Sequence, residues 1–132
     1  MPDSYSLDQV LQEVKAHARE LAENLNVMLN FPELPVADLK GTGDQQTAIN
    51  FLCKCMSFAI QCGNHDSMIN VHLFHDHSRL SIEISFISTL CNEATFKPII
   101  DKLEQFSPPG IELHFKNGLD SPTSLLIDIT TP

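Results

Sequence analysis

The stretch MINVHLFHDHSRLSIEISFI, residues 68–87, decides the fold. Apolar and polar residues alternate in both of its halves, and the apolar positions are Ile69, Val71, Leu73, Leu80, Ile82, Ile84 and Phe86. A period of two is typical of a strand with one buried face. The polar residues 75–79 between the halves are typical of a hairpin turn. The stretch therefore predicts two neighbouring strands, over residues 68–74 and 80–87.

Three helices are predicted around this hairpin. Apolar residues recur every three or four positions from Leu7 to Leu25, after a capping box formed by Ser6 and Gln9. Asp44 is expected to cap a second helix, which buries a stripe made of Ala48, Leu52, Cys55, Ala59 and Cys62. A third helix is predicted over residues 95–106, with Pro98 in its first turn and with Phe96, Ile99, Ile100, Leu103 and Phe106 buried.

Further strands complete the predicted sheet. Val27, Leu29 and Phe31 alternate in a short half-buried strand, and residues 111–116 and 124–130 predict the last two. Residues 31–43 are expected to form a loop, because Pro32 and Pro35 fit neither a ladder nor a helix interior. The order α, β, α, β, β, α, β, β predicts an α+β two-layer sandwich, with a mixed β-sheet and about three helices on one face. Residues 1–132 are expected to form a single domain.

Composition and charge argue against several classes of partner and site. The 132 residues include 17 acidic and 8 basic side chains, giving a formal net charge of −9, so we expect no nucleic-acid partner. We expect no membrane partner and a cytoplasmic location, because there is no long apolar run and no basic flank at the N-terminus. The cysteines are then expected to be reduced, and their spacing lacks the pairs of a zinc site. They are Cys53, Cys55, Cys62 and Cys91.

These segments, in this order, resemble the ATP-binding catalytic domain of sensor histidine kinases, which has the Bergerat or GHKL fold. The resemblance is carried by the opening 6–11, the segment Pro32-Glu33-Leu34-Pro35, the entry Gly43-Asp44, the helix 44–62 and the closing segments 110–112 and 127–132. It covers nearly the whole chain. It implies a nucleotide site between the second helix and the sheet.

The residues that the resemblance assigns to the nucleotide are replaced in this sequence. It implies two asparagines on the second helix, one of them a Mg²⁺ ligand, but Lys54 and Phe58 stand there. It implies an aspartate that binds the adenine amine and then glycines, but those positions hold Phe86, Ser88 and Leu90. No residues remain for an ATP lid. Phe86 is expected to fill the pocket, and we expect no nucleotide or other cofactor.

Histidines suggest two further sites. His72, His75 and His77 could hold zinc or nickel, because imidazole suits these metals; a polar turn is the alternative. His17 on the first helix is a candidate phosphoacceptor, with a plain surface histidine as the alternative. We predict no catalytic residue, because no nucleophile-elbow glycines flank Ser57 or Ser85.

The outer face of the predicted sheet is the candidate interaction surface, with a solvated sheet as the alternative. Its candidate contact residues are His72, Phe74, Glu83, His114 and Leu126. We therefore predict a non-catalytic signalling or adaptor protein of two-component signalling, binding a histidine kinase or a receiver domain without ATP. The alternatives are a histidine phosphotransfer or divergent ATPase enzyme and a histidine-based metal-binding module. A homodimer is a further hypothesis.

Overall fold

Ten secondary-structure elements form the described part of the chain. The computed structural model describes residues 4–32, 39–62, 68–76, 78–86, 93–116 and 123–131. The elements are β1 (Ser4–Ser6), α1 (Leu7–Asn24), β2 (Met28–Asn30), β3 (Lys40–Thr42), α2 (Gln45–Cys62), β4 (Met68–Asp76), β5 (Arg79–Phe86), α3 (Glu93–Gln105), β6 (Ile111–Lys116) and β7 (Thr123–Thr130). None of these helices is both long and apolar enough to cross a membrane.

Five strands form one mixed sheet in the order β2-β4-β5-β7-β6. β2 runs parallel to β4, and every other neighbouring pair is antiparallel. The predicted hairpin is confirmed, but it is tighter than expected. The ladder of β4 and β5 continues to the pair Asp76 and Arg79, so His75 and Asp76 belong to a strand rather than to the turn.

The helices cover one face of this sheet, as predicted. Side chains from both layers enclose one small internal space: Leu11, Val14, Phe31, Leu52, Met56, Ile82, Ile84 and Ile127. The alternate residues of β5 and β7 are less buried, so the opposite face of the sheet is left open. This arrangement confirms the α+β two-layer sandwich.

Local capping explains where α1 and α2 begin. The Ser6 Oγ accepts a hydrogen bond from the Gln9 backbone N–H at 3.4 Å, as the capping box predicts. The Asp44 carboxylate accepts hydrogen bonds from the Thr47 backbone N–H at 2.9 Å and from the Thr47 hydroxyl at 2.7 Å. Both predicted helix starts are confirmed.

A two-stranded sheet joins residues just before α1, for which no strand is predicted, to residues of the predicted loop. β1 pairs with β3, with Tyr5 opposite Gly41. The buried Tyr5 ring lies against Gly41, because a Cβ built on Gly41 would be 2.3 Å from the Tyr5 Cζ atom. Three-residue strands are too short to show a period, and this is why the prediction of a loop over residues 31–43 is wrong at residues 40–42.

The third helix differs from its prediction in two respects. It begins at Glu93, so Pro98 lies in its second turn rather than in its first. Ile100 and Leu103 are buried as expected, whereas Ile99 and Phe106 are exposed. Phe106 follows the end of the helix at Gln105, and its ring lies under the Lys54 ammonium, 5.1 Å from the ring centroid. A cation above the ring compensates for part of this exposure.

Candidate functional site

A groove of about 530 Å³ is bordered by residues of α1, α2 and α3. It contains Lys54 and Phe58, which stand at the two α2 positions where the resemblance implies asparagines, one of them a Mg²⁺ ligand. These residues are four apart and therefore share one face of the helix. The groove is lined mostly by apolar surface, from His17, Cys53, Lys54, Ser57, Phe58, Gln61, Ile99 and Leu103.

An aromatic pair separates this groove from the sheet. The rings of Phe58 and Phe86 meet edge to face, with their centroids 6.1 Å apart and their planes at 87°. Phe86 is only 1% exposed and Phe58 8%. The two rings therefore pack against each other where α2 meets β5, and the groove stays open beside Lys54. Ser88 and Leu90 lie outside the described residues, and the expected absence of an ATP lid stays a prediction.

The polar side chains of the groove include an imidazole, a hydroxyl and a thiol. The His17 Nε2 atom lies 3.4 Å from the Ser57 hydroxyl. Within the described ranges no ion pair involves His17. Burial and the Glu13 charge raise the pKa of the half-buried Cys53 thiol, which disfavours a reactive thiolate. Burial raises the pKa of Cys55 to about 12.

The open sheet face brings together the five predicted interaction residues. The strand registers align His72, Glu83, Leu126 and His114 in one row across β4, β5, β7 and β6. Phe74 belongs to the next row, which contains Ser81, Asp128 and Glu112. At about 4.8 Å per strand spacing, each row spans about 14 Å.

This open sheet face combines an exposed aromatic residue with a fixed polar network. Phe74 is 55% exposed, and its ring centroid is 6.3 Å from that of His72. The Ser81 hydroxyl donates a 2.6 Å hydrogen bond to the Asp128 carboxylate, and the Ser85 and Ser124 hydroxyls lie 3.3 Å apart. These bonds hold the neighbouring side chains in place, so the face offers a defined surface.

The predicted histidine metal site does not assemble in the described residues. His72 lies on the open sheet face, whereas His75 pairs with the buried Leu80 and belongs to the other face. His77 lies outside the described residues. The structure instead brings Glu112, His114 and Asp128 together. The sequence carries no signal for this second group, because Asp128 is distant along the chain from the other two.

Comparisons with known proteins were made by sequence and by structure. No family model matches the chain, and no curated protein matches it. Among solved structures, the nucleotide-free catalytic domain of histidine kinase ThkA superposes with a TM-score of 0.72 and 14% identity, covering 98% of this chain and 95% of that chain. The chain has the fold of a histidine kinase catalytic domain.

Two further structures with this kinase-type fold extend the comparison. The mycobacterial sensor histidine kinase MprB gives a TM-score of 0.68 at 8% identity, covering 99% of this chain and 98% of that chain. ThkA in complex with the response regulator protein TrrA gives a TM-score of 0.76 at 13% identity, covering 99% of this chain and 42% of that chain. At such identities the likeness establishes the fold, and the function has to be argued from the residues.

Proposed function

We propose that this chain is a protein-binding domain of two-component signalling that keeps the catalytic fold of histidine kinases without binding ATP. The observation that carries the proposal is the edge-to-face contact of Phe58 and Phe86. These two rings occupy positions where the resemblance implies a metal-binding asparagine and an adenine-binding aspartate. Without these groups, the fold has lost two polar contacts that would select a magnesium nucleotide.

Elementary energetics argue against nucleotide binding at these positions. Mg²⁺ requires oxygen ligands, and a phenylalanine ring provides none. An adenine amine buried against Phe86 would have no acceptor there, at a cost of about 1–3 kcal/mol. Lys54 could still attract a phosphate, since its ammonium is exposed at the groove. The test must therefore include ATP both with and without magnesium.

The open sheet face is the surface that we assign to the partner. Its rows of side chains span about 14 Å across four strands. The exposed Phe74 stands in one row with the polar residues Ser81, Asp128 and Glu112. Aromatic residues amid polar neighbours are common at protein interfaces. ThkA was solved in complex with a response regulator protein. By analogy, we propose a receiver domain or a histidine kinase as the partner of this chain.

A divergent ATPase or a histidine phosphotransfer enzyme is the second candidate. The open groove of about 530 Å³ favours it, because it is large enough for part of a nucleotide. The contact of His17 with Ser57 places an imidazole at the same groove. This alternative predicts saturable ATP binding that depends on Lys54, or phosphate transferred to His17.

Isothermal titration calorimetry with ATP distinguishes these candidates. We expect no saturable binding of ATP, with or without Mg²⁺, up to millimolar concentrations. Low-micromolar binding that weakens in Lys54→Ala would contradict the proposal and favour the ATPase. Incubation with a phosphorylated receiver domain, followed by mass spectrometry of the His17 peptide, tests phosphotransfer; we expect no phosphohistidine.

Binding to a panel of receiver domains and kinase dimerisation domains tests the partner. We expect a complex that Phe74→Ser weakens at least about tenfold, because an aromatic interface residue often dominates binding. Phe106→Ser is the matched control, because Phe106 is also 55% exposed but lies on the helix side. An equal loss of affinity in both variants, or the absence of any binding partner in the panel, would contradict the assignment of the open sheet face to the partner.

Light scattering of wild type and Phe74→Ser tests the homodimer hypothesis.

A further inference from the structure

Three metal-ligating side chains meet at one end of the open sheet face. Glu112 and His114 lie on β6 and Asp128 on β7, and we call them the β6–β7 cluster. One oxygen or nitrogen atom from each residue lies within 4.8 Å of the others. The antiparallel register creates this cluster, because it places Glu112 directly opposite Asp128 and puts His114 opposite Leu126, two pairs along and on the same face of the sheet.

The distances in the cluster suit a small cation better than direct hydrogen bonds. The His114 Nε2 atom lies 3.5 Å from Asp128 Oδ2 and 3.6 Å from Glu112 Oε2. Both distances exceed those of ordinary N–H···O hydrogen bonds. Zinc ligands at tetrahedral angles are separated by about 3.3–3.5 Å, given Zn–N and Zn–O bonds of about 2.0–2.2 Å. The two distances from His114 are therefore already close to this spacing, and the Glu112 and Asp128 oxygens lie within 4.8 Å of each other.

One neighbour of Asp128 favours metal binding and another competes with it. The Ser81 hydroxyl binds Asp128 Oδ1 and leaves Oδ2 directed towards His114. Ligating carboxylates are commonly oriented in this way by a neighbouring hydrogen bond. The Arg79 guanidinium lies 3.7 Å from the same Oδ2 atom and would compete with a cation. Because the Arg79 side chain is 54% exposed, it can turn into solvent when a metal binds.

We propose that the β6–β7 cluster binds one Zn²⁺ ion through Glu112, His114 and Asp128. Two carboxylates and a neutral imidazole balance the charge of the ion, and the net negative charge of the chain favours cations. Water completes the coordination, because Glu112 and His114 are exposed. The site is independent of the proposed loss of ATP binding.

Zinc competition with a chromophoric chelator tests the site in the metal-free full chain. We expect one zinc per chain, bound at least about tenfold more weakly in His114→Ala and Asp128→Asn, since each removes a ligand. Ser81→Ala should weaken binding because Asp128 loses its orienting bond. Arg79→Gln should tighten binding because the competing charge is gone. The melting temperature provides a second readout: we expect zinc to raise it in wild type but not in His114→Ala.

Matched controls exclude adventitious binding. His75→Ala also removes one exposed imidazole, but His75 lies on the other face of β4, so its zinc affinity should equal that of wild type. Circular dichroism confirms that each variant is folded. The proposal is overturned if metal-free wild type takes up no zinc, or if His114→Ala and Asp128→Asn bind it as tightly as wild type.

Discussion

At the residue scale, Phe86 shows how one side chain serves both the core and the candidate site. It is among the largest fully buried side chains, and its ring contacts Phe58 across the layer boundary. The same ring occupies a position where the resemblance implies a carboxylate. The residue that we propose to exclude adenine there therefore also stabilises the packing of α2 on the sheet.

Replacement of Phe86 by alanine tests this structural role. We expect Phe86→Ala to lower the free energy of unfolding by about 3–5 kcal/mol, because it leaves a cavity in the core. Phe74→Ala is the control with the same side-chain change at an exposed position, where the expected loss is within about 0.5 kcal/mol. Urea denaturation measures both. Comparable losses in the two variants would show that Phe86 is not packed as described.

Asp44 provides a pH-dependent test of the α2 cap. Hydrogen bonds from the Thr47 hydroxyl and backbone lower the pKa of its carboxyl below the ordinary value of 3.8. A lowered folded-state pKa contributes stability that is present above the unfolded-state pKa and is lost as the pH falls through the folded-state pKa. An asparagine at this position would also cap the helix, but its amide does not titrate.

We therefore expect the melting-temperature advantage of wild type over Asp44→Asn to shrink as the pH falls below about 4. Above about pH 5 the difference should be constant, because Asp44 is ionised in both the folded and unfolded states. Thermal melts followed by circular dichroism across this range provide the measurement. Asp8→Asn, in the first turn of α1, serves as the control. A difference that grows on acidification would refute the assigned cap.

At the element scale, the small sheet of β1 and β3 depends on the absence of a side chain at residue 41. We expect Gly41→Ala to lower the free energy of unfolding by about 1–3 kcal/mol, because its Cβ would overlap the buried Tyr5 ring. In a Tyr5→Leu background the same substitution should cost less, since the ring is gone. A double-mutant cycle by urea denaturation measures this coupling. Additive effects would contradict the contact.

Helices were easier to predict than short strands for a physical reason. The capping groups of α1 and α2 lie within three residues of the backbone that they bind, so Ser6 and Asp44 are visible in the sequence. Tyr5 and Gly41 pair across 35 intervening residues, and no local pattern indicates that they meet. The exposure of Ile99 and Phe106 depends similarly on how α3 sits beside α2.

At the scale of the whole molecule, the strand order places β5 at the centre of the five-stranded sheet. Hydrogen exchange should therefore be slowest at the β5 amides of Ile82 and Ile84, which are paired on both sides and buried. It should be fastest in β2 and in the two-stranded sheet of β1 and β3. Mass spectrometry of exchanged peptides measures this order. Equal protection in β2 and β5 would contradict the topology.

The two-layer sandwich and the open sheet face were predictable because side-chain period is a local property, whereas the kinase-type fold was implied by the resemblance of the segments in their order. Alternation along β4, β5 and β7 assigns each residue to a face, and apolar residues at helical spacing assign the covering layer. Only the tertiary structure decided which residues become neighbours. The edge-to-face contact of Phe58 with Phe86, the groove beside Lys54 and the β6–β7 cluster all join segments distant in the chain. Their positions depend on strand order, register and helix packing, and these are set by the energy of the whole core.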